Sequence, residues 1–138
     1  MKPEIKKIWV DALESGEYEQ GTGQLCKIDL ITNKRYYCCL GVLCDLAAKE
    51  GVVGEKIQEH TGNVAFGIEE AFLPPPVIEW AGVDSSVPRV AIEELPAGAS
   101  LTALNDGFDV YDPEPGVIGE KRLKLDFKQI AALIKEQL

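Results

Sequence analysis

Four cysteines, Cys26, Cys38, Cys39 and Cys44, form the densest group of reactive side chains in the sequence. Four thiolates can hold a zinc ion. The spacing is not that of paired-cysteine knuckles, and adjacent Cys38 and Cys39 on a strand would face opposite sides. Cysteine also packs as a small hydrophobe. The expectation is therefore four reduced core thiols and no metal, with zinc binding and thiol chemistry as alternatives. The lone histidine, His60, carries no flanking signature and reads as a loop residue. There is no glycine-rich phosphate loop, no Gly-x-Ser-x-Gly elbow and no His-Glu-x-x-His. No catalytic residue and no cofactor is called for, and the chain reads as a non-enzyme.

A second set of residues suits ligand binding. Arg35 and Tyr36 stand side by side, and Trp80 follows Ile78 and Glu79. An arginine beside aromatic rings can stack on a flat ligand. Asn105 and Asp106, just before Gly107, offer an amide and a carboxylate for a polar one. Each has a plainer reading: cross-strand packing for the tyrosine, core packing for the tryptophan, and local turn bonding for Asn105 and Asp106. If Asn105 does hold a ligand, Asn105→Ala should leave the stability of the free protein unchanged.

These residues must be positioned by a small fold. The chain has 138 residues, 46% of them hydrophobic and 27% charged, which suits one globular domain over residues 1–138. No apolar run approaches the length of a membrane span, so no membrane partner is expected. The start lacks the apolar core of an export signal, which points to the cytoplasm and to reduced thiols. The formal net charge is -9, concentrated between residues 51 and 120. Such a field repels phosphate backbones, arguing against direct nucleic-acid binding, and attracts a basic protein surface.

The apolar spacing of Ile5, Ile8, Trp9, Ala12 and Leu13 predicts a helix over 3–15, started by Pro3 and stopped by Gly16. Alternation over 24–31 and a short run at 35–38, joined by a turn at Thr32-Asn33-Lys34, predict a hairpin. A buried helix follows over 39–50, with Gly41 implying a close approach to the hairpin. Residues 52–72 carry little signal beyond a short strand at 63–67. A short helix ending at Ala81 is closed by Gly82, an edge strand fits 87–92, and Ser100 caps a helix over 101–106. A second hairpin fits 107–124, turning at Asp112-Pro113-Glu114-Pro115-Gly116. The last helix starts at Asp126 with Gln129 in the capping-box position. The sum is an α+β fold: a small antiparallel sheet packed by three main helices. Trp9, Leu43, Leu46, Phe127, Ile130 and Ile134 should share its core.

Several segments in order carry a resemblance: Ile8 to Leu13, Gly16 to Gly21, Tyr37 to Ala47, Leu73 to Pro75 with Glu79 to Gly82, Leu101 to Asp106, and Phe127 to Ile134. Together they resemble a family of short uncharacterised proteins encoded by bacteriophages and prophages. The resemblance implies a phage setting inside a host cell and no activity. It also implies that 107–124 is an insertion, because in that family the Leu-Asn-Asp segment runs almost directly into the final helix. The expected role is a non-enzymatic accessory protein that binds a host protein with a basic surface. The alternative is a protein that binds or sequesters a small polar ligand such as a nucleotide, through Arg35, Tyr36, Trp80, Asn105 and Asp106.

Overall fold

The computed structural model describes residues 1–111 and 120–138. It is an α+β fold of five helices, a four-stranded antiparallel sheet and two separate hairpins. Helix α1 (Pro3–Glu14) starts on its proline and buries Ile5, Trp9, Val10 and Leu13. It packs on α5 (Phe127–Gln137), whose Asp126 and Gln129 form the expected reciprocal cap. Helix α2 (Cys39–Lys49) lies in the middle and is buried along almost its whole length. Trp9, fully buried, donates its indole N–H to the Cys39 carbonyl at 2.9 Å, which ties α1 to the start of α2.

Strands β1 (Cys26–Ile28), β2 (Arg35–Tyr37), β3 (Glu55–Ile57) and β4 (Asn63–Phe66) form the sheet in the order β2-β1-β4-β3. The register pairs Cys26 with Tyr37 and Val64, and Val64 with Ile57. Side chains alternate across a strand, so Cys26, Ile28, Arg35, Tyr37, Glu55, Ile57, Val64 and Phe66 share the inner face. Lys27, Tyr36, Lys56, Asn63 and Ala65 share the outer one. Gly41 lets α2 reach the sheet: a Cβ there would stand 1.6 Å from the Leu25 carbonyl oxygen. The close approach expected from the sequence is therefore a backbone contact at the start of β1.

Helix α3 (Pro75–Ala81) ends on Gly82 in the left-handed region at φ 70, and α4 (Leu101–Asp106) is capped by the Ser100 hydroxyl. Strands β5 (Arg89–Val90) and β6 (Ala99–Ser100) make one small hairpin, and β7 (Phe108–Tyr111) and β8 (Glu120–Leu123) the other. The second matches the hairpin expected over 107–124; its turn, Asp112 to Gly116, lies outside the described residues.

Three expectations need correction. The first strand stops at Ile28, because the Asp29 carboxylate accepts from the Ile31 and Thr32 amides and turns the chain there. Leu30 and Ile31 consequently stand in solvent, 59% and 96% exposed. Leu46 packs against the core but is only partly buried, whereas Trp9, Leu43, Phe127, Ile130 and Ile134 lie inside it. Strand β3 was not expected at all.

Candidate functional site

Two polar centres flank α2. The first is closed. Asn105, at the end of α4, is fully buried. Its side-chain oxygen accepts from the Cys39 backbone N–H at 3.2 Å and from the Gln20 amide at 3.0 Å. Its side-chain nitrogen donates to the Gly21 carbonyl and to the Asp106 carboxylate, both at 2.9 Å. Gln20 also donates to the Leu125 carbonyl. A carboxamide has two donors and two acceptor sites, and Asn105 uses all four. It caps the first free amide of α2 and joins that helix to the 20–21 loop and α4. It has no hydrogen-bonding group left for a ligand.

The second centre is open. A cavity of about 680 Å³ is lined by Glu17, Tyr18 and Glu19 after α1, Lys34, Arg35 and Tyr37 on and before β2, and Asp45 and Lys49 on α2. Asp45 is a nearly buried carboxylate within the apolar run of α2. It accepts from the Tyr18 hydroxyl at 2.5 Å and from Lys49 at 3.2 Å. Lys49 also lies over the Tyr18 ring, 5.5 Å from its centroid. Tyr18 meets Tyr37 edge to face, with centroids 5.0 Å apart. Arg35 pairs with Glu55 at 2.7 Å, so the ion pair spans the inner face between the two edge strands β2 and β3.

Burial raises both tyrosine hydroxyls above their ordinary range, and for Tyr18 the bond to Asp45 adds to it. Neither is a base near neutral pH. The Glu55 carboxylate, with burial opposing, holds Arg35 still more firmly protonated. The cavity therefore offers a pinned guanidinium, two aromatic edges and paired charges. Groups of these kinds can contact a polar molecule. The Lys34–Glu19 pair at 3.4 Å, half exposed on both sides, is the weakest of its ion pairs and the one a ligand would displace.

The five residues singled out from the sequence are not gathered in one cavity. Arg35 lines the open centre. Tyr36, the next residue, faces the other side of the sheet, with Lys34 5.6 Å over its ring and a shallow apolar groove shared with Leu30 and Ile31. Asn105 and Asp106 belong to the closed centre. Trp80 sits on α3, half-buried against the core. Sequence reasoning missed Tyr18, Asp45, Lys49 and Glu55. One signal was there: a single carboxylate inside the apolar run of α2, with a lysine four residues on, marks a buried charge with a partner.

The cysteines pack as core. All four are buried free thiols. Burial pushes Cys26 and Cys38 up to about 11, and Cys39 and Cys44 well above the usual thiol range. Such thiols stay protonated, which makes them poor nucleophiles and poor metal ligands. The Cys38 sulfur instead accepts from the Gly41 N–H at 3.4 Å, and so caps α2. Among the described residues no group of three or more His, Cys, Asp or Glu is placed to hold a metal ion, and no helix is long and apolar enough to cross a membrane.

No curated protein and no solved structure matches the chain. A family model does match, over residues 1–138, so the chain belongs along its full length to the domain-of-unknown-function family DUF8296.

Proposed function

We propose that this is a non-enzymatic accessory protein of phage or prophage type, which acts by binding a host protein through a basic surface on that partner. One observation carries the reading. Between residues 58 and 98, Glu59, Glu69, Glu70, Glu79, Asp84 and Glu93 have no ion-pair partner among the described residues. The same stretch holds a single arginine or lysine, Arg89, whose guanidinium donates to the Gly98 carbonyl. Asp45, the buried carboxylate among the described residues, is paired with Lys49, whereas these carboxylates have no ion-pair partner there. Their field attracts a cationic surface, and the attraction is screened over about 8 Å at physiological ionic strength.

The test is capture from host lysate with the tagged protein at rising salt, beside a variant carrying Glu69→Gln, Glu70→Gln, Glu79→Gln and Glu93→Gln. Retention of a basic partner should fall steeply with salt, and the variant should retain little of it even at low salt. Capture that ignores both salt and the substitutions would overturn the electrostatic reading.

A second reading rests on the open cavity. Its size and its pinned Arg35 suit a small polar ligand with a flat ring, such as a nucleotide. A thermal-shift screen of nucleotides would support it if a stabilising compound lost its effect on Arg35→Ala. No stabilising compound in the screen would remove it.

A further inference from the structure

The four-stranded sheet has two edges, and among the described residues they are covered to different extents. Along β2 the 19–21 segment lies parallel to the strand. The Tyr37 N–H donates to the Glu19 carbonyl at 2.8 Å, and the Gly21 N–H donates to the Tyr37 carbonyl at 2.7 Å. Those two bonds cover the β2 edge at Tyr37.

Along β3 no described residue bonds to the outer side. The Gln58 N–H donates to the Asn63 carbonyl, and the Gly67 N–H donates to the Gly54 carbonyl. In an antiparallel pair these inward bonds alternate. Gly54, Lys56 and Gln58 therefore point their backbone groups at β4. Glu55 and Ile57 point theirs outward, where no described residue meets them. All three residues of β3 are exposed, and Ile57 presents 43% of its surface. An uncovered row of N–H and C=O groups is a template for another extended chain.

The charges along this edge select the occupant. A second copy pairing about a two-fold axis can be centred on Glu55, Lys56 or Ile57. The first sets Glu55 against Glu55 and the second Lys56 against Lys56; the third would need Glu59, which lies in the turn after β3 and not in the strand. The first two place like charges directly opposite, which is destabilising, and the third leaves too short a strand for a full pairing. A partner with a carboxylate in the central position meets the opposite situation. Lys56 stands on the outer face of the sheet, and the described side chains that share that face are Lys27, Tyr36, Asn63 and Ala65, none of them acidic.

We propose that β3 accepts a fifth strand from a partner protein, an extended segment that sets a carboxylate against Lys56 and an aliphatic side chain against Ile57. Main-chain bonds to Glu55 and Ile57 supply the affinity, and the alternating side chains supply the selection. The inference rests on the protein-binding reading but not on the acidic loops. The peptide test below involves none of the loop carboxylates, and the lysate test above leaves β3 intact, so the two can fail separately.

The test is a titration of ¹⁵N-labelled protein, at physiological ionic strength, where charges more than about 8 Å away are largely screened, with two capped synthetic pentapeptides, Val-Glu-Val-Glu-Val and Val-Lys-Val-Lys-Val. The acidic peptide should shift the Glu55 and Ile57 amide resonances and slow their exchange with solvent. It should bind at least fivefold more tightly than the lysine peptide. Lys56→Glu, an exposed change that leaves the backbone alone, should reverse that order. Ile57→Pro, which removes one outward N–H, should weaken both peptides. The proposal is overturned if the Glu55 and Ile57 amides do not respond to the acidic peptide, or if Lys56→Glu leaves the order of the two peptides unchanged.

Discussion

The closed centre at Asn105 and the open centre at Arg35 are built from similar material. Each joins α2 to a loop and to a second element through side-chain hydrogen bonds. They differ in what is left over. Asn105 is fully buried and uses all four of its hydrogen-bonding positions on Cys39, Gln20, Gly21 and Asp106. Arg35 keeps a third of its side chain in solvent while Glu55 holds it in place. A polar residue type by itself does not mark a binding residue; unused bonding capacity at a surface does. The closed centre contributes stability, and the open one has surface available for function.

The contrast is sharpest in the response to truncation, and the largest effect is expected at Asn105. Asn105→Ala strands the buried Cys39 N–H and the part-buried Gly21 carbonyl, and leaves the Gln20 amide with only its bond to the Leu125 carbonyl. Each unmet buried group costs about 1–3 kcal/mol, so the loss should be about 3–5 kcal/mol in a denaturant titration. A ligand-holding asparagine would behave in the opposite way, with stability unchanged. A loss below about 1 kcal/mol would show that the centre rearranges and that its closure is not structural.

Asp45 lies between the extremes: a nearly buried carboxylate at the inner wall of the open cavity. Asp45→Ala should cost about 1–3 kcal/mol, the range for a hydrogen-bonded charge whose partners keep some access to water. Lys49 can return to solvent, since 67% of its side chain is already there. Tyr18 supplies a second readout. Its hydroxyl is raised first by burial and then by the bond to Asp45. Removing the carboxylate should bring its titration part of the way back toward the ordinary tyrosine value, followed by ultraviolet absorbance. An unmoved titration would mean that the two side chains do not meet.

The parts of the fold that were legible carry their signals locally. Asp126 with Gln129, Ser100 before Leu101, and Gly82 after Ala81 each mark a helix end within one turn, and all three stand as expected. Strand β3 has no such mark: Glu55, Lys56 and Ile57 are all exposed, so no alternation of apolar and polar residues appears. It exists because β4 offers it a pairing edge, a non-local cause that composition does not carry. The end of β1 was hidden in the bonding of one side chain, Asp29. The candidate site was half legible for the same reason. Arg35 could be picked out by type, but its partners Glu55, Tyr37, Tyr18 and Asp45 come from four separate segments. Adjacent residues on a strand face opposite ways, and that alone separated Arg35 from Tyr36.

The smallest effect is expected at Arg35, and its smallness is informative. The Arg35–Glu55 pair reaches from one edge strand to the other, across β1 and β4. Neighbouring strands are about 4.8 Å apart, so the edge strands stand roughly 14 Å from each other, a span that two long side chains cover only when both are extended. A pair that is about a third exposed is screened by water and contributes about 0.5–1 kcal/mol. Arg35→Ala should therefore barely move the global unfolding midpoint. The local consequence should be larger than the global one. Glu55 loses its tether on a strand that pairs with a single neighbour, so β3 should fray before the rest of the sheet does. Hydrogen exchange reads this directly. The Lys56 amide, which points toward β4, should exchange several-fold faster in the variant, whereas an amide in the middle of α2, such as that of Leu43, should not change. Equal acceleration at Lys56 and Leu43 would mean that Arg35 supports the whole fold, and the distinction between a closed structural centre and an open available one would then fail at the residue chosen to represent the open side.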